Sequence, residues 1–156
     1  MRRLLAIGSA IAAQAQLLQA ALLRNNQGET MNTNIWARMG AIAYVLWGLL
    51  HLKAAQMAYA MAQLADAGPV QGRLEQNAWN LLFFAIFGIV VAVWMNWNNS
   101  KLGYWLNLVV VSAADVGFII FVLLPGYAPM MPGALGPILW LIALGLTTVG
   151  YLKASE

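Results

Sequence analysis

The chain has 156 residues, of which 62% are hydrophobic and only 8% charged, against about 25% charged in an ordinary soluble domain. Eight Lys or Arg and five Asp or Glu are too few to hydrate a water-facing surface, whereas a chain dissolved in lipid needs charges only at its ends and loops. The net charge of +3 marks no nucleic-acid binder, because the basic residues are scattered, and the absence of Cys excludes a disulfide framework, a thiolate metal site and a cysteine nucleophile.

Residues 1–30 form an extension with three readings. Arg2 and Arg3, an apolar segment and Ala13-Gln14-Ala15 resemble a signal peptide with a small-residue cleavage site, although the apolar core is short. The same stretch also reads as an amphipathic interfacial helix, with Leu4, Leu5, Ile11, Leu18 and Leu22 toward lipid and the Gln residues outward. Finally, Gln27-Gly28-Glu29-Thr30 before Met31 can be encoded by a purine-rich ribosome-binding sequence, which makes Met31 the expected start and 1–30 untranslated.

Residues 31–156 read as a single domain with four apolar spans, at 39–64, 77–97, 102–124 and 133–152. Each matches the roughly 20 residues needed to cross a hydrocarbon core. The stretch Asp66–Arg73, with Gly68 and Pro69, reads as a loop; Asn98-Asn99-Ser100-Lys101 is a tight hairpin; and the prolines between Pro125 and Pro132 mark a turn. The expected fold is an all-α integral membrane bundle of four helices running up-down-up-down. Arg38, Lys101 and Lys153 fall on one side and Arg73 on the other, so the positive-inside rule places both termini in the cytoplasm. Trp36, Trp94, Trp97, Tyr104, Trp105 and Tyr151 then gather at the cytoplasmic interface, with Tyr59, Trp79 and Tyr127 at the other. No eukaryotic targeting pattern is present, and a bacterial inner membrane is the expected location.

Ionisable groups inside a membrane are costly, which makes them the first candidates for function. His51 and Asp115 fall near the middle of the first and third spans, where each can neutralise the other. They read either as an acid/base pair or as a buried polar contact that fixes helix register. Tyr44, Trp47 and His51 share one face of the first span, continued by Ala55, Ala58 and Ala62; Tyr104, Asn107, Val111 and Asp115 form a stripe on the third, with Ser112 within reach of Asp115. With Asn80 from the second span, Tyr44, Trp47, Tyr104, Asn107 and Ser112 are candidates to line a small ligand pocket, or else to make interhelical contacts. Lys53 lies on a nearly opposite face from His51 and is expected to snorkel toward the outer interface beside Gln56. Glu75 complements the start of the second helix, and Arg73 there can take an anionic head group. The last span, apolar apart from Thr147 and Thr148, is expected to face lipid or another copy of the chain.

There is no P-loop, no G-x-G-x-x-G, no G-x-S-x-G and no H-E-x-x-H, so nucleotide hydrolysis, Rossmann-type redox chemistry, serine hydrolysis and zinc proteolysis lack support. One His builds no zinc site, although His51 can serve as an axial haem ligand. No metal or other cofactor is expected. Two functions remain: a polytopic membrane protein that binds an apolar small molecule or lipid within its bundle or supports a membrane complex, and a membrane-embedded enzyme, isomerase-like or haem-dependent, working through His51 and Asp115 on a lipophilic substrate. The partners implied are the bilayer, a lipophilic ligand, and a second copy or partner subunit.

Overall fold

Long stretches rich in Ala, Leu and Val with few breakers favour helix wherever Gly and Pro do not interrupt them. The computed structural model describes residues 2–154, and within them the side chains of Gln14, of residues 16–24 and of residues 35–154. Helix α1 (Arg2–Ala62) ends before Gly68, and Pro69 opens α2 (Pro69–Trp94), a position where its missing N–H leaves no hydrogen bond unmade. A 3₁₀ turn at Asn96–Asn98 leads to Asn99, whose φ of 53° is left-handed, a conformation that Asn tolerates better than most residues. Ser100 caps α3 (Lys101–Phe118) by accepting from the Gly103 N–H at 3.4 Å. A π-helical turn extends α3 through Ile119–Leu123, and Gly126, with φ 76°, reverses the chain. The short α4 (Met130–Gly133) precedes α5 (Leu135–Lys153), whose first turn holds Pro137. Among the described residues there is no strand.

Four helical segments are long and apolar enough to cross a bilayer: Ile35–Ala62, Pro69–Asn98, Lys101–Leu123 and Met130–Lys153. The second departs most from expectation. It starts at Pro69, ahead of the expected helix-opening Arg73 and Glu75, so residues 69–72 of the stretch read as a loop are helical. Hydropathy marks where a helix is apolar, whereas a proline at the first helical position marks where it begins. The backbone of α1 is helical without a break between the extension and the first span. Leu18 and Leu22 are exposed, while the side chains of Leu4, Leu5, Ile11, Ala13, Ala15 and Met31 lie outside the described residues.

The helices form a ring in which α1 and α3 each border α2 and α5, leaving α1 and α3 diagonally opposed. Small residues let the backbones approach closely, the main source of helix association where burial from water contributes nothing. A Cβ on Gly40 would lie 2.5 Å from Thr147 Cγ2, and one on Gly150 3.0 Å from the Ala37 backbone nitrogen, so the α1–α5 seam depends on both glycines. Gly48 makes the same kind of approach to Ile89 and the Ala85 carbonyl on α2. Ala55 and Ala62 are buried, as the spacing of that face of α1 predicts, and Ala58 is half-buried. The last span departs from expectation: α5 packs on α1 and α3 through buried Gly136, Pro137, Ala143, Thr147 and Gly150. Its remaining face, with Ile138, Leu141 and Ile142, is exposed, like Phe83, Ile86 and Val90 on α2 and Val109, Val116 and Ile120 on α3. Large apolar side chains on the outside and small or polar ones within are the arrangement a hydrocarbon solvent favours.

Candidate functional site

Spacings of three and four residues place Tyr44, Trp47 and His51 on the inward face of α1. Tyr44 and Trp47 are fully buried, in one cluster with Ala41, Ala43, Ala92, Val111 and Ala143. Trp47 reaches across the ring, and its Nε1 donates to Asp115 Oδ2 at 2.6 Å. Gly88 makes room for the indole, since a Cβ there would lie 3.0 Å from Trp47 Cζ3. One turn further along α1, His51 stacks on the same indole at 3.9 Å between ring centroids, and its Nδ1 lies 2.9 Å from the Trp47 carbonyl oxygen. A carbonyl only accepts, so Nδ1 carries hydrogen and the neutral ring presents its lone pair at Nε2.

Asp115 is 0% exposed, and its second oxygen, Oδ1, has no hydrogen-bond partner. That oxygen faces Gly136, the second residue of α5: a Cβ there would lie 3.6 Å from Asp115 Oδ1, 3.1 Å from His51 Cε1 and 3.8 Å from His51 Nε2. The carboxylate therefore looks toward the positive end of the α5 macrodipole. The result is a small polar site in which two acceptors, Oδ1 and Nε2, flank one glycine. Such a site is chemically suited to a hydrogen-bond donor.

His51 and Asp115 come together as the sequence suggests, but Trp47 mediates between them, donating to one and accepting from the other, and no direct bond joins the pair. They also meet at the first turn of α5 rather than at its middle. The other expected residues separate. Ser112 accepts from Trp140 Nε1 at 2.9 Å instead of pairing with Asp115. The buried side-chain amides of Asn107 and Asn96 approach to 3.3 Å, beside the Gly88 carbonyl. Tyr104 stacks on Tyr151 at 4.5 Å and its hydroxyl lies 3.2 Å from Thr148 Oγ1. Asn80 is exposed and takes no part, because α2 turns Ala78, Ala85, Gly88, Val91 and Ala92 inward. The hydroxyl of buried Tyr44 has no hydrogen-bond partner among the described residues.

Outside the bundle, Lys53 is exposed and donates to Gln56 Oε1 at 3.0 Å. Arg73 donates to Gln76 at 2.8 Å, and Glu75 Oε1 accepts from Gln63 at 3.1 Å and Gln71 at 3.4 Å. At the opposite end, Arg38 sits 5.4 Å over the Trp97 ring and Lys153 5.5 Å over Trp36. No group of three or more His, Asp or Glu suited to a metal occurs among the described residues. A haem at His51 does not fit the packing, because the α5 backbone at Gly136 covers the Cε1–Nε2 edge that would face the iron. Gly136, Trp140, Asn96 and Thr147 were not legible as partners from the sequence. Gly136 lies near the start of the expected fourth span, where nothing in the sequence marks it as a neighbour of His51 and Asp115. No family model matches the chain, and no curated protein or solved structure matches it either.

Proposed function

We propose that the chain is a small integral membrane protein of a bacterial inner membrane, with four helices running up-down-up-down and both ends cytoplasmic. Its role is to bind a lipophilic small molecule by a hydrogen-bond-donating group at Asp115 and His51. One observation carries this reading: the partnerless Asp115 Oδ1, fully buried beside the His51 imidazole edge. A contact that served only to set helix register would need the Trp47 bond alone, and leaving a buried acceptor unpaired costs about 1–3 kcal/mol. A ligand hydroxyl or amine supplies the missing donor.

The same pair of acceptors supports the enzymatic reading. A proton leaving the ligand has two adjacent bases, Nε2 and Oδ1, and one can return it at a second atom, as an isomerase requires. The test of both readings is mass spectrometry of small molecules co-purified with the full chain in mild detergent. Enrichment of a hydroxyl- or amine-bearing lipophile with the wild type and its loss in Asp115→Asn supports ligand binding. A partner protein that persists in both, with no such molecule, assigns the chain to a membrane complex instead.

A further inference from the structure

A second site lies in the groove between α1 and α2. It has a volume of about 360 Å³, with Leu52 and Leu82 among its apolar walls and Gln56, Tyr59, Glu75 and Trp79 as its polar or aromatic members. Its size falls in the lower part of the roughly 300–1,000 Å³ range of small-molecule sites.

The chemistry of its lining is selective. Tyr59 and Trp79 are both exposed, and the faces of such rings attract cations. Glu75 is the acidic member of the lining, held through Oε1 by the amides of Gln63 and Gln71, both uncharged. Of the neighbouring cations, Arg73 is held by Gln76, outside the lining, and Lys53 by Gln56 Oε1 on the groove wall. A carboxylate held by two amides, in a lining that also carries two aromatic rings and apolar side chains, is complementary to a positively charged head on a short hydrocarbon tail. We propose that this groove binds a diffusible ammonium amphiphile, with the head among Glu75, Tyr59 and Trp79 and the tail along Leu52 and Leu82.

The experiment uses the full chain in a neutral maltoside detergent and titrates octyltrimethylammonium below its micellar concentration by calorimetry, with octyl sulfate as the matched anion. Saturable binding of the ammonium is expected, weakened about tenfold in Glu75→Gln and in Trp79→Leu. Asn80→Ala, on the same helix but outside the groove, is expected to bind as the wild type does. Because Trp79 is exposed, its replacement tests the groove even where Glu75→Gln disturbs the helix start. Equal binding of octyl sulfate, or wild-type affinity in both groove variants, overturns the proposal and leaves a surface that takes alkyl chains without reading charge. Displacement of the probe by phosphatidylethanolamine, but not by phosphatidylglycerol, assigns the groove to a bilayer lipid and overturns the diffusible ligand.

Discussion

The indole N–H of Trp47 and the carboxylate of Asp115 meet at 2.6 Å between two helices that stand diagonally in the ring, so this one bond crosses the centre of the bundle. Both residues are fully buried. Trp47→Phe keeps most of the ring volume while removing the one donor to the carboxylate among the described residues. The expected loss is about 2–3 kcal/mol, the range for a hydrogen bond to a charged group left unmade. Unfolding of the purified protein in mixed micelles measures it. Asp115→Leu in the Trp47→Phe background is expected to recover part of the loss, because no acceptor is then stranded.

Gly136 sets the width of the site. Gly136→Ala places a methyl 3.1 Å from His51 Cε1 and 3.6 Å from Asp115 Oδ1. The expected cost is about 1–3 kcal/mol from overpacking, together with loss of the co-purified ligand. Combining it with His51→Ala relieves the steric part and restores stability but not ligand. Recovery of both would show that His51 takes no part in binding.

Absence of native cysteine makes topology measurable without background. Single cysteines at Asn98 and Ala154 are expected to be shielded from an impermeant maleimide in intact cells, and one at Ala67 to be labelled. The charge distribution is the reason: Arg38 and Lys153, each near a tryptophan ring, flank the first of these sides, and Arg73 the other. Labelling of Asn98 and Ala67 from the same side would contradict an up-down arrangement.

Four apolar segments were legible because the bilayer-crossing requirement is written in composition, over runs far longer than any local ambiguity. Where α2 begins was not, since residues 69–72 lie in a polar, breaker-rich stretch yet are helical, and hydropathy reports solvent rather than hydrogen bonding. Matching depths along two helices brought His51 and Asp115 into consideration together. The tryptophan between them was harder to assign: Trp47 and Asp115 are 68 residues apart, and tryptophan reads as apolar lining until its N–H is seen to have a partner. Asn80 illustrates the converse. Helical spacing groups residues on a face but does not say which face is buried, and α2 buries its small residues, leaving Asn80 outside.

On the proposed function, Asp115 is kept for its free oxygen rather than for the stability of the fold. Asp115→Asn can retain the Trp47 bond through its amide oxygen, and it replaces the stranded acceptor with an N–H₂ donor beside His51 Nε2. Residues held for function in this way commonly reduce stability. The thermal unfolding midpoint of Asp115→Asn, measured beside ligand-stripped wild type in the same detergent so that bound ligand does not raise one of the two, is the most direct test. A midpoint equal to or above that of the wild type is expected, and one clearly below it would make Asp115 a residue that sets helix register.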